Sequence, residues 1–242
     1  MKTSNKLFLA AVAVVLGSLT TYNAALRAEY RTGHYKDPLH NYQALGLRDF
    51  DAVRVPSASG LRVRIEVGPF AVRVSKEAAD FVHVTQRGQQ LLVTLAYPEK
   101  PESLGRQEAV VITCPRLAAL TTEGTYTVAG KVPPGQRQAG GEVEIQGFRQ
   151  DSLTLRQDES SQIRLKGNTL AWLCASAGAR PGSEPGLGID SDNHIQAADL
   201  TIAHRGHLDL ATAIPRLRYQ FSDSASVVLT GAAARSLGTA NK

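Results

Sequence analysis

Asp190, Asp192, Asn193 and His194 crowd into the short stretch "GIDSDNH". Carboxylates, an amide oxygen and an imidazole packed so closely suit a calcium or transition-metal ion. The stretch has neither the glycine nor the closing glutamate of an EF-hand loop, and no second ligand cluster accompanies it. The expectation is therefore a solvated turn and no metal site, with Asp190, Asp192 and His194 the weak candidates. His204 and His207 in "AHRGHLDL" have an odd spacing that sends strand side chains to opposite faces. Only a turn at Arg205 and Gly206 would reunite them around zinc. His34, Tyr35 and His40 lie in a polar segment and are expected to be solvated.

Other chemistries fare less well. "GSEPGLG" is rich in glycine but is followed by neither Lys-Ser nor Lys-Thr nor a helix, so the phosphate-loop mechanism is missing. No "GxSxG" occurs, and Cys174 lies among apolar residues that would keep its thiol protonated and inert. Sugar hydrolysis by paired carboxylates could be assembled from Asp151, Asp158, Glu159, Asp190, Asp192 or Asp209 if the fold brought two of them across a cleft. No catalytic residue and no cofactor is expected. Trp172, Tyr219 and Phe221 read as core filling; a stacking platform for a glycan would need these rings on the outside.

The elements that would position these groups are strands. "LRVRIEVGPFAVRVSKE" puts Leu61, Val63, Ile65 and Val67 on one side and Arg62, Arg64 and Glu66 on the other, with Gly68 and Pro69 as the reversal before Val72, Arg73 and Val74. "DAVRV", "FVHVTQ", "QLLVTLAY" and "EAVVITC" continue the pattern, "EKPESLGRQ" is an exposed loop, and no strong helical periodicity follows residue 45. Beyond Pro115 a repeat emerges. Leu153, Leu155, Ile163, Leu165 and Gly167 recur, at one constant offset, as Leu217, Tyr219, Val227, Leu229 and Gly231. A second, shorter offset connects Leu153 and Leu155 to Leu170 and Trp172, and Leu200 and Ile202 to Leu217 and Tyr219. Strands carrying only two apolar residues cannot stand alone and must stack, as the coils of a β-solenoid do.

Residues 1–26 place Lys2 and Lys6 before an apolar run, which is an export signal. Cleavage after Ala24 or Ala25 would leave Tyr22 or Asn23 at the third position before the cut, where small residues are required. A cleaved signal peptide and an uncleaved anchor both remain open; Ser18, Thr20, Thr21 and Asn23 weaken the second half as a span. Residues 27–44 read as a linker, 45–238 as one folded domain and 239–242 as a tail. Net charge is +5 with pI near 9.3, yet the arginines are scattered among acids without interleaved aromatics, which excludes a nucleic-acid interface. Cys114 and Cys174 both lie in apolar strand-like stretches, so two free buried thiols are expected rather than a disulfide.

Gly60, Val63, Ile65, Gly68, Phe70, Val72 and Val74, followed by "VVITCPRLAALTTEG" with Pro115, Leu117, Leu120 and Gly124, resemble the bacterial putative auto-transporter adhesin family defined by the head GIN domain. The resemblance covers roughly residues 50–237. It implies an exported, all-β domain, a right-handed parallel β-helix or β-solenoid, following the N-terminal hydrophobic helix and without established enzymatic activity. Pro69 in the hairpin and Tyr126 after Gly124 depart from the family pattern, and "AGARPGSEPGLGIDSDNH" lengthens one repeat. The resulting expectation is a periplasmic or cell-surface binding or scaffold module for an envelope protein or carbohydrate, its N-terminal segment in contact with the membrane. The alternatives are a polysaccharide-active solenoid enzyme and a membrane-anchored sensory domain.

Overall fold

A computed structural model of the chain describes residues 3–33, 37–102, 104, 107–133 and 140–239. The chain divides into two units, Met1–Tyr42 and Gln43–Lys242. The first contains helix α1 (Thr3–Thr32), which runs past the expected signal segment into what reads as linker. Its stretch Asn5–Arg31 is long and apolar enough to cross a membrane. The hydroxyls that weaken its second half bond back to the helix: Ser18 to Val15 O, Thr20 to Leu16 O and Thr21 to Gly17 O, at 2.7 to 2.9 Å. Donating inward in this way lowers their cost in an apolar surround.

The second unit is built from short strands: β1 (Tyr42–Leu45), β2 (Ala52–Val55), β3 (Arg62–Val67), β4 (Ala71–Ser75), β5 (Val82–Arg87), β6 (Gln90–Tyr97), β7 (Val110–Cys114), β8 (Ala119–Thr122) and β9 (Thr127–Val128). There follow β10 (Glu142–Gln146), β11 (Arg149–Gln157), β12 (Gln162–Lys166), β13 (Thr169–Ala177), β14 (Gly186–Ile189), β15 (His194–Ile202), β16 (His207–Leu210), β17 (Arg216–Phe221), β18 (Ser226–Leu229) and helix α2 (Gly231–Thr239). The first sheet has the order β1-β4-β7-β3-β10-β12-β14-β16-β18, and the second β17-β15-β13-β11-β8-β2-β6-β5, with β9 beside β6. From β10 onward the chain alternates between the sheets, and each strand pairs in parallel with the next one in its own sheet.

The register explains the repeat. Leu153, Leu173, Ala198 and Leu217 are successive partners, so three layers of stacking carry Leu153 onto Leu217, the equivalence visible in the sequence. Ile163, Leu187, Leu208 and Val227 do the same in the other sheet. The shorter offset is not structural: Leu170 pairs with Gln150 rather than Leu153, and Leu200 with Tyr219 rather than Leu217. The inward residues Val143, Ile145, Leu153, Leu155, Leu165, Leu173, Leu187 and Leu200 are all buried, so each layer covers its neighbour's apolar pair. The stretch read as an insertion contains β14, whose Leu187 and Ile189 continue these stacks; only the part before it is a longer loop.

At the other end the expected hairpin is replaced by an interleaved arrangement. The chain does reverse at residues 68–70, but β7 takes the place between β3 and β4, parallel to the first and antiparallel to the second. Val63, Ile65, Val72 and Val74 are buried as expected, whereas Val67, at the strand's end, is 47% exposed. Helix α2 also departs from expectation, an alanine-rich turn after Gly231 that packs Ala233 onto the core.

Candidate binding face

Two built features and one open face emerge from this frame. The first is a buried asparagine ladder at the turns between the sheets. Asn193 is 2% exposed and Asn168, one layer away, is fully buried. Asn193 Oδ1 accepts from both the backbone N–H and Nδ2 of Asn168 at 3.0 Å, while its own Nδ2 donates to Leu165 O and Asp190 O at 2.8 Å. Asn168 repeats the pattern toward Ile145 O and the Phe148 N–H, and Thr212 caps the ladder through Asn193 O. The amide that looked like a ligand in sequence thus spends its donors and acceptor on turn backbone and on its neighbour in the ladder. Asp190 lies 3.8 Å from Arg164, and Asp192 and His194 are exposed. Among the described residues no group of three or more His, Cys, Asp and Glu side chains gathers as a metal set. His207 Nδ1 lies 2.7 Å from Ser226 Oγ, and His204 sits in the preceding turn at φ 51°. His40 Nδ1 lies 3.0 Å from Asp37 O, while His34 and Tyr35 are outside the described residues.

The second feature is a charged cluster. Arg180 lies 3.1 Å from Glu159, 3.5 Å from Asp158 and 3.8 Å from Glu123, which also binds Arg54 at 3.0 Å. Asp158 Oδ1 accepts from Ser183 Oγ and from the backbone N–H of Arg180 and of Glu159; Glu159 Oε2 accepts from the Gly124 N–H and Thr125 Oγ1. Of the sequence's candidate carboxylates the fold brings together Asp158 and Glu159, and adds Glu123, which sequence reasoning missed because it comes from the turn after β8, far back along the chain. Their oxygens are engaged in tying three turns together. Asp151, Asp190, Asp192 and Asp209 are distributed over other turns and strands.

A cavity of about 240 Å³ lies beside Arg62, Leu95, Tyr97, Glu102 and Tyr126. Tyr126, the bulky departure after Gly124, packs edge-on against Tyr97 with ring centres 5.9 Å apart. The Tyr97 phenol donates to Glu102 O, and its pKa is raised by burial first and then by Tyr126 and Glu102.

The open face is the outer side of the second sheet. Ser152, Trp172, Ala197 and Arg216 form one row across β11, β13, β15 and β17, and Thr154, Cys174, Asp199 and Arg218 form a second, parallel row on it. This overturns two expectations. Trp172 is 38% exposed rather than core filling, and Cys174, further along the same strand, is exposed while Cys114 is buried. The reason is parity: the alternation slips by one position at Ala171, so Trp172 and Cys174 face outward while Leu170, Leu173 and Ala175 face in. Both thiols are free. Burial pushes the Cys114 thiol up to about 12. Tyr219 is exposed for another reason. It stands at a core-facing register position opposite Leu200, but β17 is the last strand of its sheet, so only one neighbour covers it; it stacks on Phe221 at 4.9 Å.

The fold has solved counterparts. A putative adhesin from Bacteroides fragilis superimposes with a TM-score of 0.51 at 11% identity, over 79% of this chain and 93% of that one. A putative lipid binding protein from Parabacteroides distasonis gives 0.31 at 14% identity, over 78% and 94% of the two chains, and a putative adhesin from Parabacteroides merdae 0.31 at 10%, over 78% and 92%. At these identities the first likeness establishes a shared fold, and the other two are too distant in shape to add to it. No family model matches the chain, and no curated protein matches it in sequence.

Proposed function

We propose that the two sheets are faces of a right-handed parallel β-solenoid of the head GIN type, and that the chain is an exported cell-envelope module that binds rather than transforms its ligand. The alternation of strands between two parallel sheets supports the solenoid reading, and the fold shared with the Bacteroides fragilis putative adhesin supports an adhesin-like role. The observation that carries the binding reading is Trp172: the only tryptophan in the chain stands exposed on a regular outer face among polar side chains. Aromatic rings with one face open to water are favoured where a partner docks. The partner is another envelope component or an extracellular carbohydrate. Helix α1 supplies the export signal and contact with the membrane.

A glycan array and an envelope pull-down, both with folded protein, test the reading. Saturable binding in one of them is expected, and empty results in both overturn it. An enzyme built on Asp158 and Glu159 predicts instead sustained release of new reducing ends from polysaccharides. Membrane fractionation with N-terminal sequencing separates an anchor, retained with Met1 intact, from a cleaved signal.

A further inference from the structure

We propose that the outer face around Trp172 holds an acidic polysaccharide, with the indole under a sugar ring and Arg216 and Arg218 on its carboxylate groups. This rests on the binding reading above and names the ligand class. Neighbouring strands are about 4.8 Å apart, so Trp172 and Arg216, two strands away from each other, stand about 10 Å apart along one row. Ala197, between them in the row, is fully buried and carries only a methyl group, so no bulky side chain separates the ring from the guanidinium.

Charge placed on the Trp172 rows is the deciding feature. Arg54, Arg64, Arg164, Arg180 and Arg205 all lie within ion-pair distance of carboxylates. Among the described residues Arg216 and Arg218 form no ion pair, as is also true of Arg48, Arg73, Arg87, Arg116, Arg149 and Arg156; what sets these two apart is their place on the rows of Trp172 and Cys174, with Asp199 as Arg218's partner in the register. Two uncommitted guanidinium forks beside an exposed indole match a ligand that carries both ring faces and carboxylates. The rest of the face favours a sugar over a bilayer or a nucleic acid. Ser152, Thr154, Ser176 and Thr201 offer hydroxyls, Asp199 accepts from ligand hydroxyls, and among the described residues no further large apolar side chain on these rows offers anchorage in lipid. A single aromatic with an acid among the arginines suits a sparsely charged chain better than a continuous phosphate backbone.

The test uses the full chain in phosphatidylcholine nanodiscs and the emission of Trp172. Polygalacturonate fragments, neutral dextran of matched length, phosphatidylglycerol vesicles and a DNA duplex are titrated separately. The expected result is a saturable change with polygalacturonate alone, weakening as salt rises, and on the order of tenfold weaker or more in Arg216→Ala/Arg218→Ala. Calorimetry of Trp172→Ala should show a comparable loss. Equal binding of dextran, or unchanged affinity in the arginine variant, overturns the acidic assignment and leaves the binding reading standing. A stronger response to vesicles or DNA overturns the polysaccharide itself. No response to polygalacturonate also overturns this inference, whereas the broader reading falls only if the array and the pull-down are empty as well.

Discussion

Replacing Asn193 by alanine should destabilise the second unit far more than its place in a polar turn would suggest. The side chain takes part in four hydrogen bonds, three of them buried and the fourth, to Asp190 O, half-buried. Three of its partners keep other bonds: Leu165 O accepts from the Asp190 N–H, Asp190 O from the Asn193 N–H, and Asn168 Nδ2 still donates to Ile145 O. Losing each of these three costs about 0.5–1.5 kcal/mol net. The Asn168 N–H is different, because Asn193 Oδ1 is its partner and Asn168 is fully buried. An orphaned buried donor costs about 1–3 kcal/mol, which brings the expected total to about 2.5–7.5 kcal/mol. Urea unfolding of the full chain, followed by Trp172 emission and far-UV circular dichroism together, measures it and checks that the transition is cooperative. Asp192→Ala, in the same turn and exposed, should stay within about 0.5 kcal/mol of the natural sequence. A double-mutant cycle with Asn168→Ala should show coupling of about 0.5–3 kcal/mol. If Asn193→Ala lies within about 1 kcal/mol of the natural protein, the ladder is not what fixes these turns.

A thiol titration of the folded chain should find Cys174 reacting promptly and Cys114 only on denaturation; two prompt thiols would contradict the burial of Cys114. Because the Cys114 pKa rises from 9.0 to about 12, the unfolded chain loses this proton first as pH climbs. Stability should therefore fall by about 1.4 kcal/mol per unit from about pH 9 toward about 12, and Cys114→Ala should flatten that slope; identical slopes would refute it. Gly178→Ala would drive a methyl into Ala203 O at φ +82°, whereas Gly182→Ala at φ +80° meets nothing. The second should cost about 1 kcal/mol of backbone strain and the first at least about 3 kcal/mol, since a backbone clash is added; equal unfolding midpoints would show that the close approach is not real.

What the sequence disclosed, and what it hid, follows from the range of the interactions involved. Alternation at Leu61, Val63 and Ile65 is a local property, and the equivalence of Ile163 and Leu165 with Val227 and Leu229 needs only a fixed offset, so strands and stacking were both legible. The interleaving of β7 between β3 and β4 was not, because nothing in a reversal at Gly68 and Pro69 says which strand fills the gap. The slip in alternation at Ala171 shifts parity by one position, which alone moves Trp172 and Cys174 from core to surface. Asn168 and Asn193 precede equivalent strands in "GNTL" and "DNHI", a signal present in the sequence that the search for metal ligands read differently. Glu123 and Arg180 meet Asp158 and Glu159 only through the stacking of turns, which no spacing within one segment reveals.

The claim that matters most is that the Trp172 face is where a ligand sits. The direct measurement is the affinity of whichever glycan or envelope component the array or pull-down returns, for the natural chain and for Trp172→Ala, alongside the emission of Trp172 as it binds. The account predicts a saturable change in emission and a loss of affinity of on the order of tenfold in the variant. Binding that leaves the emission untouched and survives Trp172→Ala at full strength would contradict it.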